Sequence, residues 1–285
     1  MLPPMRARPF DNGPSPAEGE EQVAYDEKAF FESFYRANVR GAPEDRMTIG
    51  AVAESEARFH YNAVENAIIR VLARLEPPPQ GAAVEAWRML RKRAGLRLLD
   101  IGSGTGHWVD FFRDVIHAEQ AVAVEIAENM AGYLRQKYAE NSGVSVLSTD
   151  IADPSFGPDR IGGKVHYCSA IGVMFHIVDD ERWATAMANL SSCLLPEGLL
   201  FVGGDFGPTT RNVQFHRTDD FDTWKAFGKA KPQAGQIRVN KRLRSLADWV
   251  CLTSRLDLRV VDLVRAESCP DIGTPENDVL VLARI

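Results

Sequence analysis

The chain has 285 residues, a formal net charge of −6 and a hydrophobic fraction of 45%, which allows one large domain or two small ones with a substantial core. The acidic balance argues against a nucleic-acid partner, and no run of about eighteen apolar residues predicts a membrane span. Residues 1–20 lack the apolar stretch of a secretory signal, and Cys168, Cys193, Cys251 and Cys269 show no Cys-x-x-Cys spacing, so the expectation is a cytoplasmic chain with free thiols.

Residues 1–20 are rich in Pro, Gly and acids and predict a disordered tail. From Gln22 to Val39 the positions Phe30, Phe31, Phe34 and Tyr35 share one helical face, and Gly41 and Pro43 end that helix. A second helix, Glu54 to Leu75, has the stripe Val64, Ile68, Val71 and Leu72, a polar first half, and a stop at Pro77–Pro79. A third is predicted over Ala82–Arg93, so residues 21–94 read as a helical lid ahead of a domain spanning 95–285.

In that domain, short apolar runs alternate with helical periodicity. Strands are predicted at Leu96–Ile101, Ala121–Glu125, Val144–Leu147, Lys164–Ser169 and Leu199–Gly204. Helices fall after residue 107, at Asn129–Tyr138 and at Asp180–Leu195, the last stopped by Pro196 and Gly198. After a helix at Leu246–Leu256, two runs, Leu258–Val264 and Asp278–Ala283, have no helix between them and predict a hairpin. The expected fold is α/β: a doubly wound, seven-stranded, mostly parallel sheet with an antiparallel last strand.

The chain is organised around Asp100-Ile101-Gly102-Ser103-Gly104-Thr105-Gly106-His107. A buried strand running into glycines and then a helix lets backbone approach a ligand and offers free N–H groups. A dinucleotide fingerprint needs Gly-x-Gly-x-x-Gly, but here the glycines stand at 102, 104 and 106, which disfavours a pyrophosphate site. Asp-x-Gly-x-Gly-x-Gly instead resembles motif I of the class I methyltransferases dependent on S-adenosylmethionine (SAM), and with the terminal hairpin the resemblance covers roughly 96–285. It implies SAM as cofactor, S-adenosylhomocysteine (SAH) as product, and a turn of Gly102, Ser103, Gly104 and Gly106 around the methionine end. Asp100 would help hold the amino group.

Glu125 ends the second strand, nineteen residues after Gly106, where an acid can take both ribose hydroxyls. By the same resemblance Asp150 would meet the adenine amino group, Ile151 would pack on the ring, Ile126 would be a further cofactor contact, and Met130 would lie beneath the adenine or in the core. Ser169 ends the fourth strand, where open α/β sheets bind ligands. The resemblance also suggests His176, in Phe175-His176-Ile177-Val178-Asp179, as a general base for an O–H or N–H acceptor, with Asp205 orienting it; the other reading of His176 is structural. Ser169-Ala170-Ile171-Gly172 departs from the Asn/Asp-Pro-Pro-Tyr/Phe pattern of nucleobase methyltransferases, and no carboxylate cluster predicts a metal.

Residues 206–244 exceed what the core needs and predict a substrate cap. From 211 to 244, nine Lys/Arg stand against three Asp, with Phe215, Phe221, Trp224 and Phe227 interleaved, which suggests either an acceptor bearing a carboxylate or a solvated loop. Arg58, Tyr61 and Trp224 are the candidate acceptor contacts. The reading is methyl transfer to an O, N or S atom of a small molecule, with a homodimer left open. The alternative is a SAM-binding protein of the same fold without methyl transfer, a cyclase or regulator; an NAD-linked oxidoreductase and a nucleic-acid methyltransferase have less in their favour.

Overall fold

The computed structural model describes residues 25–38, 54–75, 95–204, 213–215, 241–264 and 278–285. The tail at 1–20, the predicted helix at 82–93, Asp205, Trp224 and Cys269 lie outside the described residues. Helix α1 is Glu27–Asn38 and α2 is Glu54–Leu75. The Asp26 carboxylate accepts a hydrogen bond from Ala29 N at 3.0 Å and so starts α1. Then come β1 (Arg97–Ile101), α3 (His107–Asp114), β2 (Gln120–Glu125), α4 (Glu128–Lys137), β3 (Val144–Ser148) and β4 (Val165–Ile171). Helix α5 (Asp180–Cys193), β5 (Leu194–Gly203), β6 (Val213–Phe215), β7 (Lys241–Leu243), α6 (Leu246–Thr253), β8 (Leu258–Val264) and β9 (Val279–Arg284) follow.

Seven strands form one sheet in the order β3-β2-β1-β4-β5-β9-β8. The pairs β2–β3, β1–β2, β1–β4 and β4–β5 are parallel; β9 runs antiparallel to both β5 and β8. The expected hairpin is present, and its second strand lies between β5 and β8. The period-two alternation of strand side chains explains the continuous apolar runs, because each face has its own core. Leu98, Ala121, Ala123, Tyr167, Phe201 and Val281 pack with Val64, Ile68 and Leu72 of α2 and Val109 and Phe112 of α3. Leu99, Val122, Val124, Cys168, Leu200 and Leu282 pack on the other side with Trp183, Met187 and Leu190 of α5 and Trp249 of α6. Burying a side chain such as Phe112 or Leu190, each 0% exposed, stabilises by about 2–3 kcal/mol.

Strand β5 begins at Leu194, earlier than the proline and glycine suggested. Val165 pairs with Leu194, the register then shifts, and pairing resumes at Tyr167 with Leu199. The intervening residues bulge, with Glu197 at φ +60, so Pro196 sits where its missing N–H costs no ladder bond. In the inserted segment, Val213–Phe215 and Lys241–Leu243 pair as an antiparallel ribbon, bringing its two described ends together.

Candidate active site

Strand order reverses at β1: the chain moves outward through β2 and β3, then returns to the other side of β1 as β4. The carboxyl ends of β1 and β4 therefore open a crevice, the general location of ligand sites in such sheets. A cleft runs across it from the end of β3 (Thr149, Asp150, Ile151), past the ends of β2 and β1, to the end of β4 (Ile171, Gly172, Val173). Helices α1 and α2 line its other side through Phe31, Tyr35 and Tyr61.

The turn after β1 depends on backbone that side chains rarely adopt. Gly102, Gly104 and Gly106 have φ of +63°, +52° and +88°. A Cβ at Gly102 would stand 2.5 Å from Val173 Cγ2, and one at Gly106 would collide with the Tyr138 hydroxyl. Gly102 N and Ser103 N donate to Val124 O at 2.8 and 3.1 Å, tying the turn to β2. Glu125, 2% exposed, completes the attachment: Oε2 accepts from Gly104 N at 3.0 Å and Oε1 from Ala127 N at 3.2 Å. Burial raises its pKa while these amide bonds oppose the rise.

Asp100, at 0% exposure, lies behind the turn. Its Oδ1 accepts from Ser169 Oγ at 2.5 Å, and its Oδ2 accepts no hydrogen bond among the described residues. Burial, only partly offset by that bond, lifts the Asp100 pKa from 3.8 to about 7. Tyr35, buried on α1, has its phenol pushed well up, first by desolvation and then by the nearby Glu125.

The structure thus brings Gly102, Ser103, Glu125, Ile126, Asp150, Ile151, His176 and Tyr61 to one cleft. Gly104 and Gly106 shape its turn, and Asp100 and Ser169 sit behind it. Met130 is 1% exposed, packs with Tyr35 and Ala127 and does not line the cleft. Arg58 is exposed and does not line the cleft. His176 ends a short 3₁₀ turn, Met174–His176, and meets the Phe31 ring edge-on at 4.9 Å.

Some lining residues had no mark in the sequence. Asp150 Oδ2 accepts from Arg182 of α5 at 2.7 Å, and Arg182 also donates to Glu27 of α1 at 2.8 Å. One guanidinium therefore ties the first helix to the end of β3. Phe31 and Tyr35 stood in the apolar stripe of the first helix, which periodicity alone assigns to a core. Their position in the stripe was the available signal. Where α2 meets the start of α3, His107 Nε2 lies 2.8 Å from Glu65 Oε1, and the His107 ring stacks on Tyr61 at 3.8 Å. Two basic residues of the inserted segment turn inward. Arg242 and Arg244 both bond Asp180, and Arg244, 3% exposed, lies over the Trp183 ring at 4.2 Å.

Residues 98–198 match the family model described as a methyltransferase domain. The match covers about a third of the chain. The matched stretch holds β1 through α5 and most of the cleft. No curated protein matches the sequence. Among solved structures, the domain resembles the 1,6-didemethyltoxoflavin-N1-methyltransferase of Burkholderia thailandensis at 14% identity and TM-score 0.55, covering 93% of each chain. It also resembles the N-methyltransferase NodS of Bradyrhizobium japonicum at 14% identity and TM-score 0.52, covering 89% of this chain and 97% of that one. These likenesses establish the methyltransferase fold. Among the described residues, no three His, Cys, Asp or Glu side chains are grouped to hold a metal ion, and no helix is long and apolar enough to cross a membrane.

Proposed function

We propose that this methyltransferase binds SAM in the cleft and moves its methyl group to an O or N atom of a small molecule. The observation that carries the reading is Glu125, a buried carboxylate at the cleft wall held in place by two amides of the surrounding loops. A carboxylate so fixed has lone pairs left for a vicinal diol and loses little freedom in binding it. The buried Asp100 Oδ2 is a polar atom waiting for a donor, which suits the amino group at the other end of the nucleoside amino acid.

The group supplies an electrophilic methyl carbon on a sulfonium. The protein's part is placement and proton handling. The glycine turn allows close backbone approach, and Ile126 and Ile151 offer apolar contact for a base near the end of β3. Asp150 would meet the exocyclic amine while still paired with Arg182. The acceptor then enters at the β4 end, where His176 lies on the wall. In-line placement of the two reacting atoms lowers the barrier by several kcal/mol (about 7 or more at best) without further chemistry.

The test is calorimetric titration with SAH, followed by incubation with methyl-labelled SAM and fractionated small-molecule extracts. Binding with transfer to a small molecule supports the reading. Binding without transfer to any fraction favours a non-transferring protein of the same fold, and no binding rejects the cofactor assignment.

A further inference from the structure

Where the second helix, α2, meets the start of α3, the cleft wall has a chemical character of its own. It is aromatic: Tyr61 and Trp108 are each 5% exposed, and the His107 ring stacks on the first and meets the second edge-on at 4.9 Å. Among the described residues the lining includes one Lys or Arg, Arg182, which stands at the β3 end bonded to Asp150 and Glu27. Behind the aromatic wall stands a carboxylate, Glu65, bonded to His107 Nε2 at 2.8 Å. The described basic residues of the inserted segment are engaged elsewhere: Arg242 and Arg244 bond Asp180, and Lys241 lies over the Phe175 ring at 4.6 Å. Aromatic faces with a carboxylate behind them attract cations and give nothing to a carboxylate ligand.

We propose that the methyl acceptor is a small amine, received as its ammonium ion against the Tyr61–His107–Trp108 wall and deprotonated there by His107. The inference rests on the methyltransferase reading and narrows its acceptor. The ammonium gives one proton to the free ring nitrogen of His107, Nδ1, while Nε2–H stays on Glu65, which balances the new charge. The nitrogen lone pair then forms the N–C bond to the methyl carbon as the C–S electron pair returns to sulfur. The product leaves as a methylated ammonium, and His107 passes its proton to water. Glu65 is a positioning residue: its bond to Nε2 fixes the tautomer that leaves Nδ1 able to accept. Asp100 lies behind the same turn, near enough for His107 to act on it, and Asp110 follows three residues on in the same helix.

The experiment uses the full chain saturated with SAH and three probes of similar shape: benzylamine, benzyl alcohol and benzoate. Benzylamine is expected to bind about fivefold or more tightly than the alcohol, with benzoate weakest. Y61L and E65Q are each expected to remove most of that preference. Histidine-selective 15N spectra, with the His107 signal identified by its loss in H107Q, should show the Nε2–H tautomer, and E65Q should mix the two tautomers. Equal or tighter binding of benzoate, no detectable benzylamine binding, an Nδ1–H tautomer, or a tautomer indifferent to E65Q would each overturn the proposal. Failure to bind SAH would instead remove the cofactor reading beneath it.

Discussion

Replacing Asp100 by Asn should change how stability depends on pH, and the sign follows from burial. Asp100 is 0% exposed, with one carboxylate oxygen on Ser169 and the other bonded to nothing among the described residues. Its pKa rises from 3.8 to about 7 on folding. The folded chain therefore holds this proton more tightly than the unfolded chain. Its contribution is fully present below the unfolded pKa, is lost as pH rises, and levels off above the folded pKa. A displacement of roughly three units corresponds to about 4 kcal/mol, at a slope near 1.4 kcal/mol per pH unit inside the window. Asn keeps an acceptor for Ser169 Oγ but cannot ionise, so D100N lacks this term. Urea unfolding of both proteins without ligand, between about pH 4.5 and 8, isolates it, because titrations common to both cancel in the difference. The stability of wild type relative to D100N should fall by about 3–4 kcal/mol over that range. Parallel curves would show that Asp100 is ionised in the folded protein and that its burial has been misjudged.

E125Q should lose about 2–3 kcal/mol of stability in urea, since an amide group replaces one of two acceptors for buried N–H donors, and SAH affinity should fall at least tenfold by calorimetry. Unchanged SAH affinity would refute the sugar-binding role. G102A combines a left-handed φ of +63° with contact at Val173, and about 2–3 kcal/mol is expected from strain and overlap together. Adding V173A should recover the overlap but not the strain, so a double mutant that gains nothing would mean the clash is not the cause. H107Q should lower transfer of label from SAM at least tenfold while SAH affinity stays within about twofold. Equal turnover would leave His107 a stacking partner of Tyr61.

What could be read from the chain was what local periodicity and glycine chemistry encode. The strand, turn and helix around Gly102–Gly106, and the acid at the end of the next strand, depend on residues close in sequence. The placement of Glu125 at the turn followed from that spacing. The rest depended on which surfaces meet across the fold. Tyr35 and Phe31 read as core because a helical stripe does not say whether it covers a sheet or a cleft. Arg182 could not be paired with Asp150 and Glu27 without knowing that α1 and α5 converge on the end of β3. Met130 looked equally suited to ligand contact and to packing, and in the structure it lies buried beside Tyr35, where α1 packs on α4. The early start of β5 was hidden because Pro196 and Gly198 are breakers, and only the bulge opposite Val165 and Tyr167 shows how the strand absorbs them.

The position of β9 has a consequence for how the protein is made. Gly203 finds its ladder partner in Val279, far along the chain, so the outer edge of β5 stays uncovered while everything between is synthesised. That edge carries Leu199, Leu200, Phe201 and Val202, an apolar strand of the kind that pairs readily with other chains. A nascent or truncated molecule lacking residues 279–284 would present it to its neighbours, and the final strand acts as the seam that keeps the sheet from joining another.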